Sequence, residues 1–421
     1  MSTKQYATLG ERMQTRTLAN GLRVCYLPKE GFSKTFAILA ANFGSVDASF
    51  TFEGKRYDTP AGVAHFLEHK MFEDEDGNAL QKFARTGASP NAFTSHTMTA
   101  YHFSCTDRFA ENLEILLKFV FTPYFTEENV AKERGIIGQE IGMMDDTPGW
   151  QAMVGLYEGL YREHPVRVSI AGSVESIAEI TPETLYTCHR AFYSPKNMAL
   201  VVCGTADFDE VCRMAAQFSP QDAPEIGERH YGTRREAVNE LLVTRKMQVS
   251  QPQFLIGFKD DPVQPGESRL RRSLLGELAV RILCGDTAPL YADLYEKRLI
   301  GRDFDSDYSL IPEGASAMLG GESRDPEAVR AAVEKEVARL AHEGVEPALF
   351  GHMKKALYGL HLRVLDVPEA YARQEAAALF AGEHYLDFAA LFDTIGADDV
   401  QAMFARWARR DRCTMSVVQP K

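Results

Sequence analysis

The chain has 421 residues, more than one compact core usually serves, so we expect two domains or more. Its hydrophobic share of 45% and charged share of 25% are those of a globular protein. The net charge of −13 argues against nucleic acid as a main partner, because a phosphate-binding surface needs clustered lysine and arginine.

No signal peptide is visible in the sequence. Residues 1–16 are polar and lack the apolar core of a signal peptide, and no apolar run approaches the length of a membrane span. The seven cysteines are scattered without a C-x-x-C pair, which is typical of small buried residues in a reducing compartment. We therefore expect a cytoplasmic protein without a membrane span.

Strand and helix patterns alternate through the first half of the chain. Asn20-Gly21 is a favoured two-residue turn and predicts a β-hairpin over 15–27. Further strands are predicted over 36–43, 92–105 and 198–203, and a loop over 49–60. Helices are predicted over 62–72, 77–87, 111–121, 127–145, 150–161, 181–192 and 207–218.

The second half repeats this plan. The polar stretch 219–240, with two prolines and two glycines, predicts a linker at 221–240 between an N-terminal domain, 1–220, and a C-terminal domain, 241–421. A strand is predicted at 254–258, and helices at 269–283, 325–342 and 347–364. The stretch 395–404 leading to Cys413 resembles 180–189 leading to Met198, 215 positions earlier (395 − 180). A repeat of this length indicates duplicated domains of the α+β class.

The most informative stretch is 65–69, which reads His-Phe-Leu-Glu-His on a predicted helix. Residues four apart lie on one helix face, so His65 and His69 can reach one zinc ion. Glu68 points to nearly the same side and is well placed to hold a metal-bound water. This order is the inverse of the commoner H-E-x-x-H zinc motif.

A hydrolytic zinc site needs a third protein ligand. The predicted helix 127–145 offers one, since Glu133 and Glu140 fall inside its apolar stripe. The stripe consists of Val130, Ile137, Ile141 and Met144. A buried carboxylate needs a cation or hydrogen bonds, so a metal at Glu140 would compensate it. Glu133 would then orient a histidine ligand or the water.

Each of these residues has a plainer interpretation. The two histidines could be a surface pair on a helix, and Glu140 could pair with a lysine or arginine. His96 and His102 are expected to be strand side chains, though either could border the site. His164, which precedes a proline in a loop, is assigned a structural role.

A zinc held by two histidines and a glutamate, with a free glutamate beside it, best fits peptide hydrolysis. The metal would lower the pKa of bound water and polarise a carbonyl. Glu68 would take the proton from water and pass it to the leaving amine.

With these motifs the sequence resembles the pitrilysin/insulinase family of inverted-motif zinc metallopeptidases, which includes the mitochondrial processing peptidases. The stretches that match the family, besides residues 65–69 (the pentad), are 18–23, 62–64, 87–101 and 133–140. The resemblance implies two homologous tandem domains, each an antiparallel-rich sheet covered by helices on one side. It implies one zinc ion per chain, bound by His65, His69 and Glu140, with Glu68 as base and Glu133 in support.

The resemblance also implies how substrate is held. Asn91, Ala92 and Phe93 match residues of the family's edge strand, which adds an extended peptide through backbone hydrogen bonds. An ordinary sheet strand is the alternative at this place.

One stretch departs from the family pattern. Active members often carry R-E-K-R-G-L-A-Y in the second domain, where the Arg and Tyr grip the substrate. Here Tyr295 replaces the first Arg and Arg302 the final Tyr, while Arg298 and Tyr308 lie out of register. The resemblance therefore predicts a homologous zinc-less partner subunit that supplies the Arg and Tyr in a heterodimer, with a homodimer as the other possibility.

The sequence as a whole predicts a zinc endopeptidase acting on short or unfolded peptides. A non-catalytic structural or peptide-binding subunit that retains zinc is the alternative. An unrelated metal-dependent hydrolase would require the match around Glu133 and Glu140 to be accidental.

Overall fold

The structure is a computed structural model and describes residues 2–75, 77–222 and 224–421. In chain order its strands are β1 Ser2–Tyr6, β2 Glu11–Thr17, β3 Arg23–Pro28, β4 Thr35–Ala41, β5 Ser49–Phe52, β6 Lys55–Asp58, β7 Glu73–Asp74, β8 Gly77–Asn78, β9 Ser89–Thr94, β10 Thr99–Cys105, β11 Met198–Gly204, β12 Ile226–Arg229, β13 Leu242–Met247, β14 Gln253–Asp260, β15 Asp305–Ile311, β16 Gly314–Glu322 and β17 Cys413–Pro420.

The helices, again in chain order, are α1 Val63–Lys70, α2 Ala79–Thr86, α3 Phe109–Phe121, α4 Glu127–Asp145, α5 Pro148–Leu160, α6 Val174–Ala178, α7 Pro182–Phe192, α8 Phe208–Phe218, α9 Arg269–Cys284, α10 Pro289–Glu296, α11 Pro326–Glu343, α12 Pro347–Val364, α13 Pro368–Phe380, α14 Phe388–Asp393 and α15 Ala397–Trp407. None of the helices in the described ranges is both long and apolar enough to cross a membrane.

The chain forms two compact units, and both are discontinuous in sequence. The first comprises Met1–Ile141, Ser169–His230 and Leu362–Leu386. The second comprises Gly142–Val168, Tyr231–His361 and Asp387–Lys421. The change of unit after His230 lies inside the predicted linker. Dividing the chain at that one position does not reproduce the two units, because each unit also contains a helical segment from the other half of the sequence.

The first unit is built on a seven-stranded sheet with the order β1-β2-β3-β11-β4-β10-β9. The central strands β4 and β11 are buried along their whole length, as their continuous apolar runs require. Strand β11 pairs parallel with β3 and antiparallel with β4. Strand β9 forms one edge of the sheet, and β10 is its only partner in the sheets of the described chain.

Helices cover both faces of this sheet. Tyr101 of β10 points to one face, where its ring contacts Phe72 and Phe119. The register places Cys25 on the opposite face, where its thiol lies beside Tyr371 of α13. The α+β class is confirmed, and helices cover this sheet on both faces, whereas the family resemblance implied a covering on one side.

The second unit repeats the order and directions of the first. Its sheet runs β13-β17-β14-β16-β15, with β17 parallel to β13 and antiparallel to β14. Helix α5 packs on β17 and β14, just as α13 packs on β11 and β4. The predicted duplication is therefore confirmed, since α15 and β17 stand where α7 and β11 stand in the first unit.

Two stretches differ from their predicted structure. The predicted loop 49–60 contains the hairpin of β5 and β6, which turns at Glu53 and Gly54 with positive φ at both. The polar sequence of this stretch does not indicate the hairpin, because only Phe50 and Phe52 are fully buried in it. The predicted strand 92–105 is a second hairpin, of β9 and β10, whose turn is closed by the Ser95 side chain.

The start of α1 is held by two glycines. Gly62 caps the helix with φ of 91°, and a Cβ there would lie 2.4 Å from the carbonyl oxygen of Ala171. Gly172, with φ of 76°, approaches the carbonyl oxygen of Ala61 equally closely. Only glycine combines this conformation with this contact, so the pair determines where α1 begins.

Candidate active site

The candidate site is built on α1, a short helix that is buried on nearly all sides. His65, Glu68 and Lys70 are buried along with its apolar residues. Polar groups in such a place need partners, because burial removes their water. The partners come from α4, β7 and β9, so the site lies entirely within the first unit.

Glu140 of α4 lies opposite both histidines. Its Oε1 atom is 3.6 Å from His65 Nε2, and its Oε2 atom is 3.5 Å from His69 Nε2. The three residues can offer one ligand atom each, all within 4.8 Å of one another. Zinc with bonds of about 2.0–2.1 Å and tetrahedral angles holds its ligand atoms about 3.4 Å apart. The donor set and its spacing therefore fit zinc.

A second carboxylate fixes the ring of His69. Glu133 Oε1 lies 3.0 Å from His69 Nδ1, so this nitrogen donates and Nε2 keeps a free lone pair toward Glu140. Carboxylate–histidine pairs of this kind hold metal-binding imidazoles in place. Glu133 is buried in the apolar stripe of α4, as predicted, whereas the side chain of Glu140 is 29% exposed and less buried than the pattern suggested.

Glu68 points toward the edge strand. The Thr94 hydroxyl, on β9, donates a hydrogen bond of 2.6 Å to Glu68 Oε2. Glu68 is buried, and the strand that carries Thr94 also carries the predicted substrate-binding residues.

The ionisation of these groups follows from burial and neighbours. Burial lowers the pKa of His65 to about 4 and raises the pKa of Glu68. For His69, burial lowers the pKa, but the hydrogen bond to Glu133 and nearby carboxylates outweigh it and raise it. For Glu133, burial raises the pKa, but His69 and Lys70 together lower it.

The predicted substrate-binding residues lie on the open edge of the sheet. Asn91 is exposed, and Ala92 and Phe93 are half-buried. Ala92 shares the sheet face of Thr94, toward α1, while Phe93 faces α13 and stacks against Arg373 at 4.2 Å. The Thr94 side chain therefore reaches Glu68 from one face of β9, while the Phe93 ring lies on the opposite face.

Other histidines lie outside this arrangement. His96 contacts the Ser45 hydroxyl in the turn after β9. His102 faces α13, away from α1, with its ring 5.0 Å from that of Phe36. His164 belongs to the second unit and bonds to the Pro312 carbonyl, which agrees with its expected structural role.

The residues of the divergent stretch lie in the second unit. Tyr295, Arg298 and Arg302 are exposed. Tyr308 is buried on β15, and its hydroxyl donates to Asp260 Oδ2 at 2.8 Å. Tyr308 is therefore occupied in the core of its own unit and does not replace the missing Tyr.

Sequence reasoning missed two polar contacts. Thr94 contacts the carboxylate of Glu68, and Lys70 contacts that of Glu133. Lys70 directly follows the pentad, so a lysine at the end of a helix that is buried on nearly all sides was the available signal. Thr94 carried no signal until the hairpin of β9 and β10 was known.

Comparison with known proteins identifies the class. Residues 51–174 match the model of the insulinase family, peptidase family M16, and residues 179–357 match the model described as peptidase M16 inactive domain. The chain is 38% identical over 99% of its length to the uncharacterized zinc protease YmfH of Bacillus subtilis (strain 168), which it covers to 99%. These matches, which span most of the chain, define a metallopeptidase-like protein of two related domains.

Solved structures agree. A crystal structure described as an M16-like peptidase from Alicyclobacillus acidocaldarius is 32% identical, with a TM-score of 0.92 over 98% of this chain and 99% of that one. Pitrilysin shares the fold, with a TM-score of 0.76 at 18% identity, and this chain spans 46% of its length. The chain belongs to peptidase family M16, the insulinase family.

Proposed function

We propose that this protein is a zinc-dependent endopeptidase that hydrolyses short or unfolded peptides. The observation that carries the proposal is the convergence of His65, His69 and Glu140 around one point, with Glu68 beside them. Relatives named zinc proteases support it. One zinc ion per chain would be held by these three ligands.

The roles of the residues follow from their contacts. When bound, zinc supplies Lewis-acid chemistry that polarises a peptide carbonyl and makes water more acidic. Glu68 takes the proton from the attacking water and hands it to the leaving amine. Thr94 holds one Glu68 oxygen, so the carboxylate has one preferred orientation. Glu133 holds His69 in the orientation that presents Nε2.

Substrate binds in this proposal as an added strand. The outer edge of β9, at Asn91, Ala92 and Phe93, offers backbone donors and acceptors to an extended peptide. Such binding reads little of the peptide sequence, which suits a broad range of unfolded substrates. A peptide bound along β9 would also lie close to Glu68, because Thr94 at the end of β9 is hydrogen-bonded to Glu68.

A partner subunit completes the proposal. Tyr295 and Arg302 stand where active relatives carry Arg and Tyr, so a homologous zinc-less subunit would supply the substrate clamp. A homodimer is the other arrangement. Purified chain alone should cleave peptides slowly and gain activity from such a subunit. Full activity of a monomer would overturn this part of the proposal.

The cellular compartment is part of the proposal as well. All seven cysteines are buried and free. Free thiols persist in reducing compartments, which supports a cytoplasmic location.

The alternative is a non-catalytic subunit that retains zinc. The experiment that separates the two compares the wild type with Glu68→Gln for zinc content and peptide cleavage. Gln keeps the size and the Thr94 contact but cannot take a proton. We expect full zinc content with cleavage lowered at least 100-fold, within the usual range for loss of a general base. Cleavage that is undiminished would remove Glu68 from this role, and a wild type without cleavage in the presence of a partner would favour the alternative.

A further inference from the structure

Lys70 is the one lysine in the described chain whose side chain is completely buried. It follows the second histidine of the pentad and ends α1. Its ammonium nitrogen lies 2.6 Å from Glu73 Oε2 and 3.6 Å from Glu133 Oε2. One cation therefore stands between two carboxylates, one of which holds His69.

Burial makes this arrangement costly unless it is well paired. A lysine is almost never fully buried without an ionic partner, because the charge loses its hydration. Glu73 alone would neutralise Lys70. The second contact, to Glu133, is not needed for that purpose and connects the lysine to the candidate zinc site.

The geometry also shows what the ammonium prevents. Glu73 and Glu133 both approach the same nitrogen, so without it their carboxylates would face each other and repel. Glu73, the more exposed of the two, could relieve part of this repulsion by turning toward water, whereas buried Glu133 would lose the contact to its Oε2 atom, and its hydrogen bond with His69 Nδ1 would no longer be held in place. His69 would then lose the partner that orients its ring.

We propose that Lys70 is a positioning residue, which holds Glu133 against His69 so that His69 Nε2 faces Glu140. Lys70 acts through Glu133 and does not touch substrate or metal. The inference rests on the proposed function, because it assumes that His69 and Glu140 bind zinc. Lys70 and Glu73 carry opposite charges, so together they add almost no net charge to the site. We therefore expect Lys70 to act on the orientation of Glu133.

The plainer explanation is that Lys70 and Glu73 form an ordinary ion pair three positions apart. That explanation predicts loss of stability on removal of either partner, without coupling to zinc. The two explanations are separated by measuring the zinc dissociation constant, in competition with a chromogenic chelator, together with thermal unfolding of the metal-free protein.

Four variants make the test. Lys70→Met keeps length and apolar volume, and we expect it to weaken zinc binding about 10- to 100-fold, the usual loss when a ligand's outer partner is removed. Glu73→Gln leaves the Lys70–Glu133 contact and should bind zinc like the wild type. Glu133→Gln should weaken zinc binding, and adding Lys70→Met to it should weaken binding no further. Lys70→Met with Glu73→Gln removes the repulsion and should recover part of the loss.

The outcomes are distinct. Wild-type zinc affinity in Lys70→Met, or losses that simply add in the double variant with Glu133→Gln, would overturn the inference about Lys70. Absence of zinc binding by the wild type would instead overturn the proposed function. If Lys70→Met does not fold, the paired variant with Glu73→Gln has no unpaired buried carboxylate, and wild-type zinc affinity there would equally overturn the inference.

Discussion

His69 shows how much of this site depends on one ring. Its Nδ1 atom donates to Glu133, which leaves the Nε2 lone pair directed toward Glu140. The tautomer is therefore determined by a residue 64 positions away in sequence. Motif spacing predicted that the histidines share a face, but the choice of nitrogen required the contact with α4.

Thr94 offers a residue-scale test of how Glu68 is oriented. Thr94→Val keeps the shape and removes the hydrogen bond to Glu68 Oε2. A bond to a charged group contributes about 1.5–3 kcal/mol, so we expect kcat for peptide cleavage to fall about 10-fold or more with zinc content unchanged. Thr86→Val, at the end of α2 in the same unit, is the control and should cleave like the wild type. Equal activity of both variants would show that Glu68 needs no such support.

His164 provides a residue-scale prediction of pH dependence. Its Nε2 donates to the Pro312 carbonyl and its Nδ1 accepts from the Val166 amide, so the buried ring is neutral. Burial lowers its pKa from 6.5 to about 4. Between pH 6.5 and 4, His164 is protonated in the unfolded chain but not in the folded chain. The free energy of unfolding therefore decreases as pH falls from about 6.5 toward 4.

The measurement is urea unfolding of the metal-free protein at several pH values between 4.5 and 7.5. His164 should contribute up to about 1.4 kcal/mol per pH unit within the window. His164→Gln keeps a donor and an acceptor without titrating, and should reduce the pH slope of the unfolding free energy. A slope identical to that of the wild type would contradict the buried neutral state.

At the scale of elements, local chemistry sufficed for some helices and failed for some strands. Helix α4 has the bounds that the sequence predicts, because Thr126 and Asn129 cap its start by exchanging hydrogen bonds. The pair of β9 and β10 was predicted as one strand. The turn between them depends on hydrogen bonds between the Ser95 side chain and the Met98 backbone. The turn contains no glycine or proline, so the sequence carried no ordinary turn signal there.

The packing of α5 on the second sheet gives the prediction for this scale. Gly159 lies so close to β17 that a Cβ would be 2.5 Å from Thr414 Oγ1. We expect Gly159→Ala to lower the free energy of unfolding by about 1–3 kcal/mol, because the fully buried Thr414 must shift. Gly149→Ala, in the first turn of the same helix with its nearest neighbour at 3.7 Å, should be neutral or slightly stabilising. Thermal unfolding of both variants tests this, and equal midpoints would argue against close packing.

At the scale of the molecule, each unit needs a helix from the other half of the sequence. Helix α13 covers the face of the first sheet that carries Cys25, and buried Glu375 connects the two by accepting a hydrogen bond from the Cys25 thiol. The other oxygen of Glu375 accepts from the Tyr385 amide, in the segment that follows α13. Periodicity predicted α5 but not α13, and it did not indicate the sheet on which either helix packs. The distance of 346 residues between Cys25 and Tyr371 explains why no local pattern could.

A truncated chain tests this exchange. A fragment of residues 1–230 lacks α13, so we expect it to expose an apolar sheet face, bind the dye ANS and unfold without a cooperative transition. A peptide of residues 362–386, added to the fragment, should lower the dye fluorescence. Cooperative unfolding of the fragment at the temperature of the full chain would contradict the role of α13.

The sequence by itself determined the inverted pentad, the carboxylates of α4, the duplication and the family resemblance. All of these depend on spacing within one helix or on a repeated order of elements, which local periodicity carries. Only the tertiary structure decided that Thr94 supports Glu68, that Lys70 reaches Glu133, and that α5 and α13 pack on sheets from the other half. These contacts join residues whose distance along the chain is unrelated to their distance in space, so burial and pairing in the folded core had to choose them.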